Sequence, residues 1–168
     1  MNDYIIYKWN EKVSKNDKVY ILGDFAFCSG KEANELLDKL NGKKYLIKGN
    51  HDTFLKDKDF DRSKFEWIRE YSTIKDNKRK IVLFHYPIAV WDCQHHDSIH
   101  LYGHIHSNTG THHPLNFELN NAYNVGVDVC DFEPKTLEEL VKEWYYDWIL
   151  YNINFRNVAR IFWSNNGI

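Results

Sequence analysis

Lys44-Tyr45-Leu46-Ile47-Lys48-Gly49-Asn50-His51-Asp52 reads as a β-strand running into a polar turn. The last four residues set a glycine, an amide oxygen, an imidazole and a carboxylate side by side. A bare turn accounts for such a tetrapeptide as readily as a site does. What decides the reading is recurrence. Lys18 to Leu22 is a short apolar run ending at Gly23-Asp24, Ile81-Val82-Leu83-Phe84 leads into His85, and Ile99 to Tyr102 leads through Gly103 to His104. Strand after strand ends in a residue that can bind a metal. In open α/β sheets ligands gather at one set of strand ends, where the loops are free to converge.

Each fragment also has a structural reading. An aspartate after a strand is commonly a turn or cap residue, and a lone histidine after an apolar strand is commonly a satisfied core residue. In Gly103-His104-Ile105-His106 an extended backbone would turn both imidazoles to one face, as paired ligands require. A solvated loop is the alternative.

Helical spacing joins these strands. Tyr4, Ile5, Trp9 and Val13 predict an amphipathic helix from Asp3 to about Ser14, capped by Asn2 or Asp3. Ala33, Leu36, Leu37 and Leu40 predict a second from about Lys31 to Leu40, stopped by Asn41-Gly42. A hairpin is expected from Glu66 to His85 around Asp76-Asn77, a strand from Tyr123 to Val129, a helix from Leu137 to Leu150 and a last strand near Asn157 to Trp163.

The 168 residues fit one domain spanning 1–168, with 144–168 as an aromatic C-terminal extension. In that extension Trp144, Tyr145, Trp148, Tyr151 and Phe155 have the spacing of core packing or a subunit interface; base stacking is the weaker reading. Hydrophobic content of 43% and charged content of 27% are those of a globular chain. A net charge of −2 and a pI near 6.5 give no general attraction to nucleic acid or anionic membrane. Cys28, Cys93 and Cys130 form no CxxC pair, so reduced thiols in a cytoplasmic protein are expected. No run approaches the ~18 apolar residues of a membrane span. Several polar residues have structural readings: His95, His96, His100, His112 and His113 as loop or core groups, and Lys78-Arg79-Lys80 as an exposed hairpin turn.

Taken in order, Gly-Asp, Gly-Asn-His-Asp, the strand-ending His before Tyr-Pro, and Gly-His-x-His resemble the motifs of calcineurin-like metallophosphoesterases, over about residues 18–131. Asn124-Val125-Gly126-Val127-Asp128 resembles the strand that follows the histidine pair in bacterial and phage-like members. The resemblance implies an α/β fold, two mixed β-sheets sandwiched between helices, known as the metallo-dependent phosphatase fold. It implies a hydrolase acting on a small phosphoester, preferably a phosphodiester, through divalent ions (manganese, zinc, iron or nickel). Asp24 would bridge two ions, Asn50, His85 and His104 would complete the second site, and His106 would belong to the first. His51 would contact the phosphoryl oxygens or protonate the leaving group, with Asp52 orienting its ring.

One motif is absent. The family opens with Asp-x-His at the end of its first strand, and this sequence contains no Asp-x-His. The fold is therefore expected without its first strand, with one ion bound well and the first site short of two ligands. Two consequences are expected: a truncated gene product, or a homo-oligomer that covers the exposed sheet edge. A non-catalytic metal-binding remnant or scaffold subunit is the competing function.

Overall fold

The computed structural model describes residues 2–76, 78–106 and 119–142. The chain divides into two compact units, residues 1–134 and 135–168. The tail strand, His112, His113 and the aromatic extension from Trp144 lie outside the described residues.

The first unit opens with helix α1 (Asn2–Lys12) and strand β1 (Lys18–Ile21). Helix α2 (Gly30–Lys39) follows and is held at its start by a capping box. The Ser29 hydroxyl accepts the Glu32 amide, and the Glu32 carboxylate accepts the Ser29 amide. Gly42 has φ +88, a left-handed turn in which an added Cβ would strike Val13 at 2.8 Å, so the expected glycine stop is present. Strand β2 (Lys43–Ile47) comes next, then two short 3-10 turns and strand β3 (Trp67–Arg69).

These three strands form a parallel sheet in the order β1-β2-β3. Ala33 and Leu37 of α2, Leu46 of β2, and Phe54, Phe60 and Phe65 of the connection pack into one cluster over it. Burying side chains such as Leu37 and Leu46, at 1% and 0% exposure, contributes about 2 kcal/mol each.

Strands β4 (Tyr71–Asp76), β5 (Arg79–Phe84), β6 (Ile99–Tyr102) and β7 (Ala122–Asn124) form the second sheet in that order. The β4–β5 pair is antiparallel, while β5–β6 and β6–β7 are parallel. A second cluster of Val82, Trp91, Tyr102 and Ala122 packs on it. The fold is α/β with two sheets and few helices. One sheet contains only parallel pairs and the other is mixed.

Two expectations are corrected. The stretch from Glu66 is not one hairpin: β3 pairs with β2, and the hairpin proper is β4–β5. The strand beginning at Tyr123 ends at Asn124, because residues 127–132 turn, with Asp131 and Phe132 at positive φ. In the second unit, residues 137–142 are helical. Thr136 and Glu139 cap that helix by exchanging backbone and side-chain hydrogen bonds of 2.7 and 3.2 Å.

Candidate metal centre

Four loops leave the C-terminal ends of β1, β2, β5 and β6; the first three carry one expected ligand each, and the last carries both His104 and His106. The β1 and β2 loops press backbone against backbone. At Gly23 (φ +89) an added Cβ would collide with the His85 ring and with Gly49 Cα at 2.6 Å, and at Gly49 it would collide with the Asp24 amide and carboxylate. Only glycine fits where chains approach so closely.

Asp52 ties these loops together. Its carboxylate is 3% exposed and accepts the amides of Phe25 (2.7 Å), Gly49 (2.7 Å) and Asp24 (3.1 Å). Burial raises its pKa, against the pull of those three donors. Asp24 is itself anchored: the His51 amide donates to its Oδ1 at 2.8 Å. Its Oδ2 is 3.4 Å from His85 Nε2.

His85 is 1% exposed and faces oxygen on both sides. Nδ1 lies 2.7 Å from the Leu22 carbonyl, and Nε2 lies 2.9 Å from Asn50 Oδ1. A neutral imidazole has one N–H. The Leu22 carbonyl can only accept, so a proton on Nδ1 satisfies it and turns the Nε2 lone pair toward Asn50 and Asp24, the form a metal-binding histidine takes. The amide oxygen of Asn50 is also 3.0 Å from His104 Nδ1. Ligand atoms of Asp24, His85 and His104 lie within 4.8 Å of one another.

Electron-rich atoms grouped in this way could hold a cation. Two imidazoles, a carboxylate and an amide oxygen suit a divalent transition ion. The carbonyl bond to Nδ1 is the kind of outer contact that fixes a ligand histidine in its tautomer. Partial desolvation of this exposed residue, reinforced by the nearby His85, lowers the His104 pKa, the direction that favours the neutral ring a metal ligand needs.

His106 lies apart from this set. His104 has φ +66, and the Ile105 amide bonds the Gly103 carbonyl at 2.7 Å, so the segment is a turn and not extended. The two imidazoles therefore diverge. The His106 side chain is 78% exposed, and its Nδ1 is 3.3 Å from Asp128 Oδ2. Asn124 clamps this loop by donating to the Ile105 carbonyl. His51 is exposed, and its ring lies 5.1 Å from that of Phe27, which is 75% exposed. The Asp52 carboxylate faces the three backbone amides, an arrangement that sequence reasoning missed.

The other described histidines follow their structural readings. His100 is fully buried, with its ring nitrogens near the Val82 and Tyr86 carbonyls and the Ile88 amide. His95 and His96 are exposed in a 3-10 turn. The three cysteines are thiols. Among the described residues no helix is long and apolar enough to cross a membrane.

No protein-family model matches the chain. Among solved structures it is similar to a protein of unknown function, AQ665 from Aquifex aeolicus. The TM-score is 0.65 and the identity 23%, over 84% of this chain and 83% of that one, which supports the fold. A Vps29 single mutant from Entamoeba histolytica aligns at TM-score 0.40 and 21% identity over 74% of this chain, too remote to bear on function. The chain is 32% identical over 144 residues to the uncharacterized protein MJ1445 of Methanocaldococcus jannaschii, covering 84% of this chain and 74% of that protein. It belongs to the same family as MJ1445.

Proposed function

We propose that this chain is a metal-dependent phosphoesterase of the calcineurin-like type. Its substrate in this reading is a small phosphodiester, hydrolysed by metal-activated water. Asp24, Asn50, His85 and His104 hold the ion. One observation carries the reading: His85 Nδ1 is fixed on the Leu22 carbonyl while Nε2 faces two further oxygens. That geometry wants a cation in place of a proton.

A bound divalent ion supplies water with a pKa near neutrality and offsets charge on the phosphoryl oxygens. The chain's own groups do the rest. The Asp52 bonds to Gly49, Asp24 and Phe25 keep the two ligand loops in register. His51, adjacent to Asn50 and exposed, delivers a proton to the leaving oxygen.

The second reading is a metal-binding protein without hydrolysis. It is favoured by His106, which faces Asp128 and stands outside the cluster. Both readings expect metal; only the first expects turnover. The test loads the chain with manganese or zinc, measures stoichiometry by elemental analysis, and follows bis-p-nitrophenyl phosphate. Hydrolysis that disappears in His51→Ala and in Asp24→Ala supports the first reading. Near one ion per chain with no hydrolysis supports the second, and no tight metal at all sinks both.

A further inference from the structure

A cleft of about 310 Å³ opens beside the metal centre, lined by Lys48, Asn50, Lys56, Glu70, Phe84 and Tyr86 among others. Its size suits a small ligand. It adjoins the ligand cluster directly. Asn50 belongs to both, Phe84 and Tyr86 flank His85 in the chain, and the Tyr86 ring lies 4.5 Å from that of His104. A molecule in the cleft would sit next to the ion.

The charges there are available to a ligand. Lys56 has no hydrogen-bonding or ionic partner among the described residues. Lys48 pairs with Glu70 at 3.5 Å, with side chains 42% and 80% exposed, and such a surface pair is weak. Asp52, the other acidic group of the lining, is turned to three backbone amides. Lys56 closes the 3-10 turn Thr53–Lys56, which the buried Phe54 anchors in the core. Two lysines thus line one cleft of a chain whose net charge is −2. Half-buried Phe84 and the more exposed Tyr86, whose rings lie 5.7 Å apart and tilted by 58°, give the cleft an aromatic side.

We propose that this cleft is a second-anion subsite. The substrate carries a further phosphate besides the scissile ester, and Lys48 and Lys56 receive it while the connecting group lies against Phe84 and Tyr86. The inference rests on the phosphoesterase reading and narrows it to esters bearing two anionic groups. Lysines bind phosphate as point charges, without the bidentate geometry of arginine, so the subsite selects charge more than shape.

Two measurements separate the subsite from the reading beneath it. In the first, metal-free full-length chain is titrated with pyrophosphate and followed by amide-resolved NMR. Saturable shifts are expected at Lys48, Thr53, Lys56 and Glu70. The double variant Lys48→Gln/Lys56→Gln weakens binding about tenfold or more, and Glu70→Gln tightens it about twofold by releasing Lys48. Lys31→Gln on α2 leaves the titration unchanged. Shifts scattered over surface lysines, or unaltered in the double variant, overturn the subsite.

The second measurement loads manganese and compares the p-nitrophenyl ester of thymidine 5′-phosphate with the same ester bearing a 3′-phosphate. The added phosphate raises kcat/KM about tenfold through KM, and the double variant makes the two substrates equal. Hydrolysis without that preference overturns the subsite while the phosphoesterase reading stands. Cleft shifts with no hydrolysis of either ester overturn the phosphoesterase reading and leave an anion-binding cleft.

Discussion

Asp52→Asn removes a charge and one acceptor from a group that makes three backbone hydrogen bonds. The carboxylate accepts Phe25 N–H on Oδ1, and Gly49 and Asp24 N–H on Oδ2. An asparagine has one oxygen. In its best orientation that oxygen keeps the Gly49 and Asp24 bonds, and the new NH2 meets the Phe25 N–H head on. One charge-assisted bond of about 2 kcal/mol is lost, and two weaken by about 0.5–1 kcal/mol each.

Against this stands relief. Burial raises the Asp52 pKa, so the ionised form is held at some cost, which offsets part of that loss. The net loss is about 2–3 kcal/mol. For a chain of this size it lowers Tm by about 4–12 °C. The assay is a thermal melt of the metal-free chain followed by near-ultraviolet circular dichroism, paired with turnover of the loaded chain. A melt within about 1 °C of wild type with reduced turnover refutes the tie between loops. It favours the role read from sequence, in which the carboxylate orients the His51 ring.

Three further outcomes follow from the same geometry. Gly49→Ala sets a methyl against the Asp24 carboxylate, and metal affinity falls at least about tenfold by elemental analysis; unchanged affinity refutes the close approach. Burial lowers the His100 pKa from the ordinary 6.5, so the unfolded chain takes up a proton near pH 6.5 that the folded chain does not. Stability therefore drops as pH falls below about 6.5, by up to about 1.4 kcal/mol per unit. His100→Gln flattens this slope in urea melts at pH 7.5, 6.5 and 5.5, leaving the contribution of His104, and an unaltered slope refutes the buried neutral ring. His85→Ala costs about 2–4 kcal/mol of stability even without metal, because it empties a fully buried space and orphans the Leu22 carbonyl. His104→Ala, on an exposed residue, loses metal with little change in Tm, and equal melts for the two variants contradict their different burial.

The strand ends were legible because each obeys a short-range rule: an apolar run too short for a helix, then a ligand, with glycine before it at Asp24, Asn50 and His104. Four of the five expected metal-site residues, Asp24, Asn50, His85 and His104, converge. The expectation that His104 and His106 share one face rested on an assumption about their backbone. Two residues apart means one face only if the segment is extended, and the left-handed His104 breaks that rule. Its contact with Asp128 depends on residues beyond β7, a long-range placement that spacing does not encode.

Glu66 to Asp76 misled for a related reason. The chain leaves one sheet at Arg69 and enters the other at Tyr71 with no glycine or proline to mark the change. Val127 and Val129 alternate like strand residues yet are 48% and 43% exposed in turns. Alternation fits a half-buried strand only when a neighbouring strand is there to pair with, and pairing is a tertiary fact.

One of the contacts that join the two sheets at the site also bears on its chemistry. Leu22 follows β1 in the parallel sheet, and His85 follows β5 in the mixed sheet. Their 2.7 Å contact spans 63 residues and fixes which imidazole nitrogen keeps its proton. A shift of either sheet that broke this contact would release the His85 tautomer and unaim Nε2 from Asn50 and Asp24. Metal binding in turn draws together ligands from both sheets and opposes such a shift. Metal affinity and fold stability are therefore linked through one carbonyl, and an ion that binds only the folded chain raises Tm by mass action. With free zinc at about 100 Kd the gain is about 2.7 kcal/mol. In His104→Ala that metal-dependent gain shrinks while the metal-free melt stays where it was, which separates the ligand's role from the fold's.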